Sequence, residues 1–190
     1  NKIIIEKGVT LTISGAMACK DADNLVIKDG GQLLHSNSGV KATIEKEIQG
    51  YGNTNGHWYA ISAPLVGSVP LSNIDGLMPT SNNYDLYRYD EPTNVWENVK
   101  DASNDFTTFD VGRAYLYANE YDATVSFVGE INGESERCYL SRTDDVRLPG
   151  FHLIGNPFTH NIYKGAGAAI DNNNLVTGYY TLSNSGGWEA

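Results

Sequence analysis

Apolar and polar positions alternate along this chain in short stretches broken by turn residues. Tyr84-Asp85-Leu86-Tyr87-Arg88-Tyr89 has the period of two expected of a half-buried strand. Asp90-Glu91-Pro92-Thr93-Asn94 then turns the chain, because Pro92 fixes φ and Asn94 tolerates left-handed geometry. Val95-Trp96-Glu97-Asn98-Val99 returns it, which predicts a hairpin. Further strands are expected at Arg113–Ala118, at Ala123–Ile131 and, briefly, at Cys138-Tyr139-Leu140. Val40–Ile48 also alternates at several positions. Its Lys and Glu favour a helix, but its β-branched residues and flanking glycines favour a strand. Many short strands joined by turns predict an all-β fold.

Two repeats organise the pattern. Trp58-Tyr59-Ala60-Ile61-Ser62-Ala63-Pro64-Leu65 returns as Phe151-His152-Leu153-Ile154-Gly155-Asn156-Pro157-Phe158, 93 residues later. A second hairpin, Tyr179–Leu182 with Trp188-Glu189 across a turn at 183–187, follows the second copy as Trp96-Glu97 follows the first. The reading is a β-sandwich of two related halves, about 57–148 and 149–190, with Pro64 and Pro157 as equivalent corners. The second half is expected to lack its last strands.

The other repeat has an offset of 22: Ile5-Glu6-Lys7-Gly8-Val9-Thr10-Leu11 resembles Ile27-Lys28-Asp29-Gly30-Gly31-Gln32-Leu33. That length suits one coil of a parallel β-helix, with Gly8 and Gly30 at the corners. An antiparallel meander with a chance glycine match is the alternative. About two coils are too few to stand alone. The turn-rich stretch 50–57 is the expected boundary between a β-helix-like segment, 1–49, and the sandwich, 50–190.

Composition narrows the setting. Hydrophobic residues make up 41% of the 190, enough for a core. Residues 1–50 are neutral, so the whole net charge of -10 falls on 51–190. An acidic surface repels phosphate backbones, so nucleic acid and anionic membranes are not expected partners. No apolar run approaches the roughly 20 residues that span a bilayer. The chain begins at Asn1 with no signal peptide, so its start is expected to lie inside a longer protein or after processing. Cys19 and Cys138 are too few for a disulfide framework, and either a long-range bridge or two separate buried thiols fits them.

The search for chemistry finds no Gly-x-Ser-x-Gly, no phosphate-binding loop and no His-Glu-x-x-His. The Gly-rich stretch near 165–170 lacks the third glycine and the βαβ setting of a dinucleotide site. His35, His57, His152 and His160 are scattered and read as structural. Asp85, Asp90, Glu91 and Glu97, or Asp144 and Asp145, could supply paired carboxylates for glycoside hydrolysis, though acids are common in turns. No catalytic residue, resident metal or cofactor is expected. Calcium is the one ion for which oxygen ligands are at hand, at Asp21, Asp23 and Asn24 or at Asp144 and Asp145. Tyr84, Tyr87, Tyr89 and Trp96 are the candidate ligand-binding residues, able to stack on a sugar ring or a partner protein. Core packing is the competing role for the same rings.

The motifs from Ile27–Leu33 through Trp58–Leu65, Tyr84–Tyr89, Trp96-Glu97-Asn98, Gly112–Ala118 and Phe151–Phe158 resemble the C-terminal region of large secreted or surface proteins of Bacteroidetes. Leu153-Ile154-Gly155-Asn156-Pro157-Phe158 is the most specific part. In that family the run precedes a sorting domain for outer-membrane secretion, and a Gly-x-Gly-Phe strand follows the position of Trp188. Neither is present here. The resemblance implies an extracellular or outer-membrane-surface location and assigns no catalytic residue. The expected function is a non-enzymatic structural or adhesion module, with a host or bacterial surface protein as partner. The alternative is a carbohydrate-binding module of a glycan-degrading enzyme.

Overall fold

The computed structural model describes residues 1–52, 58–133 and 135–162, and the backbone alone of 181–182 and 188–189. The early strands are β1 (Ile3–Ile5), β2 (Thr10–Thr12), β3 (Leu25–Ile27), β4 (Gln32–Leu34) and β5 (Lys41–Ile48). Next come β6 (Tyr59–Ile61), β7 (Val69–Pro70), β8 (Ile74–Asp75), β9 (Tyr84–Asp90) and β10 (Val95–Asn98). The last are β11 (Thr108–Phe109), β12 (Tyr115–Asn119), β13 (Ala123–Glu130), β14 (Thr181–Leu182) and β15 (Trp188–Glu189). The remaining regular elements among the described residues are three-residue 3-10 turns, so the chain is all-β.

The 22-residue spacing is a hydrogen-bonding register. β1 runs parallel to β3 with Ile3 opposite Leu25, and β2 runs parallel to β4 with Thr10 opposite Gln32. The corner glycines match, at φ 79° for Gly8 and 78° for Gly30, the left-handed region that side chains avoid. Backbone bonds join the two copies from Lys28 N–H to Ile5 O and from Gln32 N–H to Val9 O, both 2.9 Å. The two copies approach so closely that a Cβ on Gly31 would lie 2.7 Å from Ile5 O.

β5 continues this sheet, parallel to β3 on one side and antiparallel to β13 over eight residues on the other. With β8 at the far edge the order is β1-β3-β5-β13-β8. One sheet therefore draws strands from both sides of residues 50–57. A second sheet, β10-β9-β12-β6, contains the predicted hairpin. Trp96 faces Tyr89 across it, and Asn94 in the turn has φ 58°.

The two sheets share one core. Phe109 stacks on Tyr115 of β12 with centroids 3.9 Å apart and also meets Phe127 of β13 at 6.4 Å. Burial pushes the Tyr115 hydroxyl up to about 12. Several sheets around a common core are consistent with a sandwich.

The expected strand at Cys138-Tyr139-Leu140 is absent, and the second copy of the repeat forms no ladder. Cys138-Tyr139-Leu140 lies in the loop 135–150, where no neighbouring strand offers a ladder; Tyr139 O is taken instead by the Arg113 guanidinium at 2.8 Å. Phe151–Phe158, the second copy of the repeat, pairs only at single bridges, Ile154 with Arg113 and Phe158 with Asn132. Pro157 has no N–H to give a longer ladder. β14 and β15 pair antiparallel, Leu182 opposite Trp188, while 179–180 and the intervening turn lie outside the described residues.

Candidate functional site

Strand alternation sorts the four aromatic candidates onto two faces. Tyr84 and Leu86 point into the core, at 8% and 0% exposure. Tyr84 lies 6.4 Å from the Tyr117 ring and under the Lys100 ammonium at 4.8 Å. It is thus separated from Tyr87 and Tyr89, which emerge half-buried on the outer face. Neighbouring strands add to that face. Trp96 opposes Tyr89, with ring centroids 5.1 Å apart, and Leu116 opposes Tyr87. Trp58 lies 5.9 Å from Tyr87 and is 42% exposed. Phe151 meets Tyr89 edge-on at 5.1 Å. The outcome is an aromatic seam of Trp58, Tyr87, Tyr89, Trp96 and Phe151, tilted ring to ring rather than coplanar. Trp58 and Phe151 are the members that the sequence had placed in the repeat but not in a site.

The loop 135–150 flanks the seam, and one buried carboxylate accepts four of the hydrogen bonds that hold it. Glu91, 2% exposed, accepts hydrogen bonds from Thr143 N–H at 2.8 Å and Gly150 N–H at 2.7 Å. The hydroxyls of Thr143 and Ser141 add two more, at 3.0 and 3.1 Å. These donors, Thr143 N–H foremost, hold its carboxyl down at about 2 despite burial. Such a group stays ionised and anchors the loop; it has no proton to give as a general acid. Arg113 donates to His152 Nδ1, and His152 Nε2 lies 2.8 Å from Ser141 O and 3.1 Å from Ser141 N, so the ring ties Arg113 to the loop. The other acids of the hairpin are also engaged. Glu97 pairs with Arg88, and Asp85 lies 3.6 Å from Lys100 Nζ.

The two copies of the repeated stretch meet at Asn132. Its Nδ2 donates to Leu65 O of the first copy and to Pro157 O of the second, both at 2.9 Å, from a residue 2% exposed. Ser62 Oγ donates to Asn156 O at 2.9 Å, and a Cβ on Gly155 would lie 2.6 Å from Arg113 O. Beside this junction lies a groove of about 450 Å³. Ile27, Ile44 and Ile61 contribute apolar lining, and the residues after Pro157, Phe158 to Asn161, line it as well. Its polar wall is neutral in sum, since Lys28 pairs with Glu45 at 2.6 Å and Lys46 with Asp29 at 2.8 Å.

The other candidates are dispersed. Asp21 accepts from Asp23 N–H as the cap of a 3-10 turn, and Asp144 pairs with Arg142. Among the described residues no three His, Cys, Asp or Glu side chains converge as a metal site. Cys19 and Cys138 are both free thiols. His35 is buried, which lowers its basicity, and His57 lies outside the described residues. Comparison with protein-family models, curated proteins and solved structures returns no match for this chain.

Proposed function

We propose that the chain is a non-catalytic extracellular module with a structural or adhesion role, in which two β-helix-type coils run into a sandwich of two related halves. The observation that carries this reading is the junction at Asn132. Both copies of the repeated stretch are spent on it, so the repeat builds scaffold instead of duplicating a site. The shared 22-residue register of β1–β3 and β2–β4 supports the coils. The Trp96–Tyr89 and Trp188–Leu182 pairs, at matching places in two hairpins, support the halves. Engagement of Asp85, Glu91 and Glu97 with Lys100, the 135–150 loop and Arg88 supports a non-catalytic role. The bacterial surface setting and a surface-protein partner come from the Bacteroidetes resemblance. Protease shaving of intact cells should release fragments of the chain. Hydrolysis of any polysaccharide by the purified chain, abolished by Glu97→Ala, would overturn the reading.

The outer aromatic seam favours a second reading, glycan binding. Trp58 and the half-buried Tyr87 and Trp96 present apolar ring surface at the sheet face, the kind of surface on which sugar rings stack. A glycan array probed with the native chain, Tyr87→Ala and Trp96→Ala tests it. Binding lost in both variants supports the sugar reading, and no binding by the native chain refutes it.

A further inference from the structure

β1 is the terminal strand of the five-stranded sheet, and its outer edge carries apolar residues. Equivalent positions in the two layers differ sharply in burial. Leu25 and Val26 are 1% and 5% exposed, whereas Ile3 and Ile4, one register step outward, are 48% and 47% exposed. Natural edge strands are blunted by charges, prolines, bulges or a covering element. Ile3-Ile4-Ile5 has no such residue within it.

Charges just past the strands form two columns. Continuing the β3–β5 register brings Lys28 onto Glu45 and Asp29 onto Lys46, the two ion pairs of the groove. Continuing the β1–β3 register puts Glu6 at the place next to Lys28, and Lys7 at the place next to Asp29. Glu6 and Glu45 both act electrostatically on Lys28. The columns Glu6–Lys28–Glu45 and Lys7–Asp29–Lys46 therefore alternate in sign and end outward on an acid and a base.

We propose that the outer edge of β1 and β2 is a docking surface for an extended polypeptide strand laid parallel to β1, one further step along the same stack. The occupant carries aliphatic residues beside Ile3 and Ile4, a Lys or Arg beside Glu6, an Asp or Glu beside Lys7 and a glycine beside Gly8. Leu25-Val26-Ile27-Lys28-Asp29-Gly30 has that pattern, so the partner segment is of the coil-repeat type. Main-chain bonds of strand addition supply affinity, and the charge columns fix register. The inference rests on the coil part of the proposed function and is independent of the surface setting and of sugar binding.

The test titrates the 190-residue chain with a synthetic peptide of the sequence of residues 22–34, read by calorimetry and by amide exchange. Binding with slowed exchange across Ile3–Val9 is expected. A peptide with Lys28→Glu and Asp29→Lys, which sets like charges beside Glu6 and Lys7, should bind about tenfold more weakly. Ile4→Glu in the chain should abolish binding while its unfolding midpoint stays native, since Ile4 is already exposed. No binding at millimolar peptide, or equal affinity for both peptides, overturns the proposal. So does a concentration-dependent dimer lost in Ile4→Glu, which makes a second copy the occupant. Exchange in the free chain is a separate check. Protected β3 amides without peptide binding sink the docking surface alone; unprotected ones sink the coil reading.

Discussion

Asn132→Ala tests the junction directly. The substitution removes one buried amide that donates to two main-chain carbonyls, Leu65 O and Pro157 O, each at 2.9 Å. At 2% exposure, water does not replace it. Each lost bond is worth about 1 kcal/mol net, and a stranded buried acceptor costs about 1–3 kcal/mol. The Oδ1 of Asn132 has no partner of its own, so its removal gives some relief. Taking the lower half of that range for each carbonyl, the expected loss is about 2–4 kcal/mol. In a chain of this size 1 kcal/mol moves Tm by about 2–4 °C, so Tm should fall by roughly 4–16 °C. Urea denaturation followed by circular dichroism gives the free energy, and an unchanged m-value confirms that the native state alone is affected. Asn132→Asp, which replaces the donor by an acceptor facing two carbonyls, should be at least as damaging. A loss below about 0.5 kcal/mol in Asn132→Ala, the size of an ordinary surface change, would refute the junction.

Three other outcomes follow from the same contacts. Glu91 is held at about 2, below the ordinary carboxylate value near 4.5, so the folded state binds its proton less readily than the unfolded state. Its contribution is full above about pH 4.5 and is lost as pH falls towards 2. Glu91→Gln should therefore start less stable and lose less on acidification through that window; parallel pH profiles for the two chains would refute the anchor. Limited proteolysis should cut Glu91→Gln faster within 135–150 than the native chain, and equal cutting rates would show the loop is held by other bonds. A Cβ introduced by Gly155→Ala overlaps Ser62 Cβ and crowds Arg113 O, which should cost about 1–3 kcal/mol; an unchanged Tm would show that the second copy is not packed there.

Legibility follows the range of the interaction. The β9–β10 hairpin is readable because its signals are local: alternation, Pro92, and an Asn94 that does adopt φ 58°. The ends of β5 and β13 are found to within a residue because eight alternating positions set each of them. β7, β8 and β11 leave no trace in the sequence, since a two-residue strand exists only through the partner it meets. Parity in β9 separates Tyr84 from Tyr87 and Tyr89, yet parity alone does not say which face is covered. Glu91 looks like one of four acids around the hairpin, and Asn132 like the frayed end of a strand. Their roles come from donors and acceptors 25 to 67 residues away, a distance no local pattern encodes.

The two repeats show the same limit from opposite sides. The 22-residue repeat pairs with itself, so its spacing reappears as a register and predicts what a further layer should look like. The 93-residue repeat does not pair with itself. Its copies converge on a third segment, Leu65 bridging Ile131 antiparallel and Phe158 bridging Asn132 parallel. Both copies end at a buried proline, while the surroundings give each a different job. The first copy supplies β6 and stands Trp58 on the aromatic face. The second stays out of the ladders and leaves Phe158, Thr159, His160 and Asn161 along the groove. Trp58→Ala and His160→Ala thus probe two different surfaces, the aromatic face and the groove. A ligand whose binding responds to only one of them identifies which surface carries the function.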